Sequence, residues 1–167
     1  VQLADIGDGK FLDKSSRFIN HDTFRALKCT ALNPGDILVA RMPDPLGRCC
    51  VFPDKQPESI TAVDICIMRP NSDLADTYWL ANLINAPFMR SAILQLASGT
   101  TRQRVTKRAL LDLDIPYPSL EEQKNISAIF NEVDSALSAE TKKLQKLALL
   151  KKGLMTDLLT GKVRVYG

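Results

Sequence analysis

The sequence predicts an α+β protein: a globular domain with a mixed or antiparallel sheet and flanking helices, followed by a long coiled-coil helix. Three observations support this fold class. Short runs of β-branched and apolar residues occur within the first 70 positions. Helical patterns begin near residue 74, and no proline interrupts residues 119–160. We therefore predict a domain over residues 1–116, a helix over 119–160 and a tail over 161–167.

Four segments in the first half have the composition of strands. They cover residues 1–6, 36–40, 48–52 and 61–68, and each is short and rich in apolar residues. The turn signal Asn33-Pro34-Gly35 leads into the second of them. Residues 41–47 contain two prolines and a glycine, which predicts a loop.

Helical patterns follow the strands. Residues 74–85, 88–97 and 107–111 fit three helices, with Pro87 at the first turn of the second and Gly99 beyond its end. Ser119 and Glu122 then form the capping-box pattern that opens the long helix. A helix of about 40 residues is about 60 Å long, which exceeds the diameter of a small domain.

The long helix carries a heptad pattern of apolar residues. Glu140 and Lys151 are the two charged residues that interrupt this seam. A seam of this spacing predicts pairing with another helix, although packing of one amphipathic helix on its own domain is the alternative. The predicted pairing residues are Ile126, Phe130, Val133, Leu137, Leu144, Leu147, Leu154 and Leu158.

Composition excludes several classes of protein. The chain has 167 residues, with 45% hydrophobic and 25% charged residues and a net charge of +3, which are ordinary globular values. No apolar run approaches the roughly 20 residues of a membrane span, and no secretion signal is present, so we expect a cytoplasmic protein. The four cysteines lack metal-site spacing and His21 is the sole histidine. We therefore predict neither a metal site nor catalytic residues.

Positive charge is concentrated in one stretch. No acidic residue lies between Asp76 and Asp112, whereas five basic residues do. Arginine, glutamine and threonine are side chains that bind phosphates and base edges, so this stretch and the loop after residue 40 predict DNA contact. A solvated loop before a short helix is the alternative. The candidate DNA-binding residues are Arg41, Arg48, Thr100, Thr101, Arg102, Gln103, Arg104, Lys107 and Arg108.

Three blocks of the sequence resemble a known family. They are the segment 34–41 with Gly47-Arg48, the segment LDIPYPSLEEQKNI at 113–126, and LKKGLMTDLLTGKVRV at 150–165. They are similar to the DNA specificity subunits of type I restriction–modification enzymes, which act in bacterial defence. The last two blocks are the more specific.

The resemblance implies a role in sequence recognition. Such subunits carry two target recognition domains, each of which reads half of a split DNA site, and two antiparallel helices that space them. This chain has one domain and one helix, which implies half a subunit or a fragment whose recognition domain lacks its N-terminal part. A coiled-coil interaction module without DNA binding is the alternative function.

The resemblance also implies partners and cofactors. The partners are double-stranded DNA, the modification (methyltransferase) subunits and the restriction/translocase subunit, and a homodimer through the C-terminal helix is a further expectation. The family implies no cofactor in this chain. S-adenosylmethionine, ATP and Mg are expected on the partner subunits.

Overall fold

The computed structural model describes residues 1–43, 46–54, 58–99 and 103–166. The chain divides into two compact units, Val1–Lys124 and Asn125–Gly167. The predicted α+β class is confirmed, because the first unit combines a small antiparallel sheet with short helices and the chain continues into a long helix.

Among the residues that the structure describes, the sheet of the first unit has three strands. They are β1 (Ile37–Ala40), β2 (Cys49–Val51) and β3 (Ile65–Met68), arranged in the order β2-β1-β3 with both pairs antiparallel. Leu38 pairs with Cys50 on one side and with Ile67 on the other. All four residues of β1 are buried, as expected for a central strand covered on both faces.

The side chains of β1 alternate between two apolar clusters. Ile37 and Val39 belong to a cluster that includes residues of the helices, whereas Leu38 and Ala40 belong to a cluster that includes Ile6. Alternation of this kind follows from the two-residue period of a strand. The sheet therefore separates two small cores.

The predicted strand over residues 1–6 is wrong. Leu3–Asp5 forms a 3-10 helix, because the buried Asp5 carboxylate accepts hydrogen bonds from nearby backbone N–H groups. The donors are Gln2, Lys14 and Ser15, each at 2.7 Å. These bonds favour a turn over an extended chain.

The described residues of the first unit also form four short helices: α1 (His21–Ala26), α2 (Thr77–Asn85), α3 (Pro87–Gln95) and α4 (Lys107–Leu111). Asp76 caps α2 by accepting a hydrogen bond from the Trp79 N–H at 2.9 Å. Thr106 caps α4 by accepting one from the Ala109 N–H at 3.1 Å. The three helices predicted after residue 74 are confirmed within a few residues.

The turn before β1 is held by an ion pair. Arg69 donates to both carboxylate oxygens of the buried Asp36, at 2.7 and 3.0 Å, and to the Ala31 carbonyl at 2.6 Å. Gly35 occupies this turn at φ +88°, a left-handed conformation that favours glycine. The Pro-Gly-Asp segment is thus fastened to the residue that follows β3.

Helix α5 covers Leu120–Leu159, a span of 40 residues. Ser119 accepts a hydrogen bond from the Glu122 N–H at 3.3 Å, as predicted for the capping position. The domain limits at residues 116, 119 and 160 stay a prediction. The two compact units themselves divide after Lys124. Within the second unit the predicted pairing residues from Phe130 onward are exposed, with Leu137 at 58% and Leu144 at 68%.

Candidate nucleic-acid interface

The basic loop, defined here as residues 98–104, is closed at its ends by backbone hydrogen bonds. The Ser98 N–H donates to the Arg104 carbonyl at 3.1 Å, and the Arg104 N–H donates to the Ser98 carbonyl at 2.9 Å. Helix α3 ends at Gln95 just before the loop, and α4 begins at Lys107 just after it. Three predicted residues, Thr100, Thr101 and Arg102, lie outside the described part of the chain.

The basic loop is fastened to the end of β1. The Val105 N–H donates to the Arg41 carbonyl at 3.1 Å, and Arg41 Nε donates to the Val105 carbonyl at 2.9 Å. Val105 is fully buried, so these bonds anchor the loop in the core. The structure thereby brings together the two segments in which the sequence placed DNA-binding residues.

The attachment of the basic loop to the end of β1, called the basic junction below, also involves Asp64. Its carboxylate pairs with Arg104 Nη2 at 2.9 Å, and its backbone carbonyl accepts the Arg41 N–H at 2.9 Å. Arg104 Nη2 also donates to the Val63 carbonyl at 3.3 Å. One residue therefore contacts both predicted arginines, although sequence reasoning did not select it.

Positive charges influence the Cys66 thiol of β3. Burial raises the pKa of the Cys66 thiol, whereas the positive charges of Lys107 and Arg41 oppose that rise. Arg41 directly follows β1, and Arg104 pairs with Asp64, which directly precedes β3. Two predicted residues therefore meet where β1 ends and β3 begins.

The predicted DNA-binding residues differ in how accessible their polar groups are. Lys107 and Gln103 are exposed, and Arg108 forms an exposed ion pair with Asp112 at 2.8 Å. The guanidinium groups of Arg41 and Arg104 instead form hydrogen bonds or an ion pair with other residues of the protein. Lys107 and Gln103 are therefore the described residues of this set whose polar ends are most open to a ligand.

Arg48 lies elsewhere on the first unit. Its Nη2 donates to the Leu3 carbonyl at 3.4 Å, beside the 3-10 helix. The structure does not place its guanidinium among the contacts of the basic loop. The DNA-binding role of Arg48 stays a prediction, and so do the roles of the other predicted DNA-binding residues.

Two negative findings concern the described residues alone. Across ranges 1–43, 46–54, 58–99 and 103–166, no three His, Cys, Asp or Glu side chains are grouped so that they could hold a metal ion. The helices of that same part include none with the length and apolar character of a membrane span.

The first unit combines a small antiparallel sheet with short helices, and a long C-terminal helix follows. Residues 6–149 match the family described as "Type I restriction modification DNA specificity domain". This match covers more than half of the chain, so the chain belongs to that family, whose specificity subunits are non-catalytic.

Two relatives come from Methanocaldococcus jannaschii. The type I restriction enzyme MjaVIII specificity subunit is 25% identical over 99% of this chain and 40% of its own length. The putative MjaX specificity subunit is 27% identical over 75% of this chain and 30% of its own length. The chain thus spans well under half of these relatives.

Solved structures share the fold. A chain from a structure of a type I R-M system superposes with a TM-score of 0.65 at 21% identity, covering 99% of this chain and 43% of that chain. The HsdS subunit from Thermoanaerobacter tengcongensis gives a TM-score of 0.63 at 21% identity, covering 93% and 40%. At this identity the likeness concerns the fold alone.

Proposed function

We propose that this chain reads one half of a bipartite duplex DNA target within a type I restriction–modification complex. The observation that carries the proposal is the double attachment of the basic loop: Val105 and Arg41 fix one side, and Asp64 fixes Arg104 on the other. These attachments hold residues 104 and 105 at the end of the loop, and base recognition requires side chains that are held in place.

The charge of the segment supports DNA as its ligand. Residues 77–111 contain five basic and no acidic side chains, although the whole chain carries only +3. Gln103, within the basic loop, and Lys107, just after it, are both exposed. Lysine neutralises backbone phosphates, and glutamine can bond to an adenine edge, so these two residues suit positioning and readout respectively.

The other partners follow from the family. Modification subunits would bind S-adenosylmethionine and methylate adenine, and the restriction/translocase subunit would use ATP and Mg. This chain would select the site and recruit both. The exposed apolar seam of α5 is the surface that pairs with a second helix.

Reconstitution with the modification subunits of the same system tests the proposal. We expect the double variant Arg102→Ala plus Arg104→Ala to lose most sequence-specific adenine methylation, because two cations of the basic loop are removed. The matched control, Arg17→Ala plus Arg25→Ala, removes two exposed arginines outside that loop and should retain methylation.

Two results would contradict the proposal. Unchanged methylation in the loop variant would show that the arginines of the basic loop are not needed for DNA recognition. Tight helix-mediated assembly without any salt-dependent affinity for DNA would instead favour an interaction module.

A further inference from the structure

Val63 is an exposed apolar residue in the turn that leads into β3. Its side chain is 80% exposed, and the turn consists of Val63 and Asp64. An exposed apolar side chain is ordinary by itself. The position of Val63 gives its exposure a specific meaning, because the next residue, Asp64, belongs to the basic junction.

The backbone on both sides of Val63 is held by hydrogen bonds. The Ile65 N–H donates to the Ala62 carbonyl at 3.2 Å, and the Ala62 N–H donates to the Val1 carbonyl at 2.9 Å. Arg104 Nη2 donates to the carbonyl of Val63 itself at 3.3 Å. A β-branched side chain is also restricted about χ1, so the two methyl groups of Val63 are presented with little freedom.

Polar side chains that suit DNA adjoin this turn. Arg104 contacts Val63 directly, and its neighbour Gln103 is exposed. Lys107, three residues further along the chain, is exposed at the start of α4. Cations beside an apolar tip fit a surface that carries negative charge and isolated methyl groups. Duplex DNA is such a surface, because phosphates line its grooves and each thymine carries a C5-methyl group.

We infer that Val63 contacts the C5-methyl group of a thymine in the DNA target, which makes it a specificity-determining residue of the recognition domain. The contact lies in the major groove, because thymine presents its methyl group there. The inference rests on the proposed function, since it names a group that the basic junction reads. All DNA-binding residues predicted from the sequence are polar, so Val63 extends that set to an apolar contact.

Gln103 and Val63 suit the two bases of an A·T pair. Glutamine bonds to N6 and N7 of adenine, whereas an apolar side chain contacts the methyl group of thymine. Arg104 links the two residues, because it contacts Val63 and directly follows Gln103. We therefore expect the base pairs that depend on Val63 and on Gln103 to be the same or neighbours.

A methyl group removed from the DNA tests the contact from one side. The chain is reconstituted with the modification subunits, and its half-site is read from the sequences that the complex methylates. Each thymine of that half-site is then replaced in turn by deoxyuridine, which lacks only the C5-methyl group. Anisotropy titrations should reveal one position at which this replacement weakens wild-type binding about fourfold, the effect of burying one methyl group.

Val63→Ala tests the contact from the protein side. This variant should bind the thymine and the deoxyuridine duplexes equally at that position, because the methyl groups that make the contact are gone. The salt dependence of its binding should equal that of the wild type, since no phosphate contact is lost. Val63 is mostly exposed, so the change removes little buried surface and folding is retained.

Leu27→Ala is the matched control. Leu27 is 67% exposed at the end of α1, outside the basic junction, and its variant should keep the fourfold preference for thymine. The inference would be overturned by a half-site in which no deoxyuridine weakens wild-type binding, or by a thymine preference that survives in Val63→Ala. The proposed function would stand in both cases, because sequence-specific methylation would be intact. A wild-type complex without sequence-specific binding or methylation would refute the proposed function, and this inference with it.

Discussion

Asp64 forms an ion pair with Arg104 at 2.9 Å while its backbone carbonyl accepts the Arg41 N–H. One acidic residue therefore sits inside the basic junction and fixes it from the β3 side. Because its carboxylate pairs with Arg104, a DNA phosphate would have to displace that carboxylate to reach the guanidinium. We therefore expect Asp64 to have two separable effects, one on the position of Arg104 and one on the local charge.

Asp64→Asn should strengthen binding to random-sequence duplex DNA by up to about fivefold, since the partly exposed pair contributes at most about 1 kcal/mol. Target discrimination should fall, because Arg104 is no longer held. Fluorescence anisotropy measures the first effect and site-specific methylation the second. Asp73→Asn makes the same charge change at an exposed position and should alter neither. Weaker binding to random DNA in Asp64→Asn would refute the competition.

Gln123 is fully buried at the start of α5, within the first unit. Its side chain accepts the Asp76 N–H and donates to the Pro118 carbonyl, both at 2.9 Å. Gln123→Leu should cost about 1–3 kcal/mol of unfolding free energy for each group left unpaired, measured by urea denaturation. Gln145→Leu, at an exposed position of the same helix, should stay within about 0.5 kcal/mol of wild type. Equal stability of both variants would contradict a structural role for these bonds.

Asp5 makes stability depend on acid pH. Burial raises the pKa of its carboxyl, but hydrogen bonds from Gln2, Ser15 and Lys14 outweigh burial and hold the pKa below its ordinary value. The stabilisation is complete above the unfolded pKa of about 3.9 and is lost as pH falls through the folded pKa. Urea midpoints measured from pH 7 to 2 should therefore fall less steeply in Asp5→Asn than in wild type.

The control for the pH effect is Asp54→Asn, which removes an exposed carboxyl. It should keep the wild-type loss of stability in acid. A wild-type curve that matches Asp5→Asn throughout would show that the Asp5 hydrogen bonds do not contribute to the free energy of folding.

The pairing face of α5 can be tested by position. Leu137→Asp plus Leu144→Asp should abolish self-association in sedimentation equilibrium, because each change places a charge in the apolar seam. Leu149→Asp serves as the control, since Leu149 is 71% exposed but lies on the opposite face of the heptad. Association that survives the double change, or that is lost in the control, would contradict the seam assignment.

Local signals predicted most of the fold. The turn at Gly35, the cap at Ser119 and the heptad pattern of α5 depend on neighbouring residues, so their spacing identifies the elements to which they belong. Residues 1–6 were predicted wrongly because Asp5 bonds to N–H groups from residue 2 up to residue 15, and composition does not reveal that turn.

The junction at the candidate site depends on contacts between distant residues. The acid-free stretch identified the basic loop, but nothing in the sequence linked Arg104 with Asp64 or Arg41 with Val105. These contacts follow from the sheet, which brings the end of β1 beside the start of β3. The one local feature that set Asp64 apart was its position as an acidic residue within an apolar run before β3. Gln123 was missed because glutamine on a polar helix ordinarily faces solvent.

The most direct test of the central claim is the salt dependence of duplex DNA binding. Anisotropy titrations of the full chain should give an affinity that falls steeply with salt, with a logarithmic slope reduced by about 0.9 in Lys107→Ala, because one phosphate contact is lost. Lys28→Ala, another exposed lysine, should keep the wild-type slope. A slope that is the same in wild type, Lys107→Ala and the double variant Arg102→Ala plus Arg104→Ala would show that the basic loop and α4 do not contact DNA.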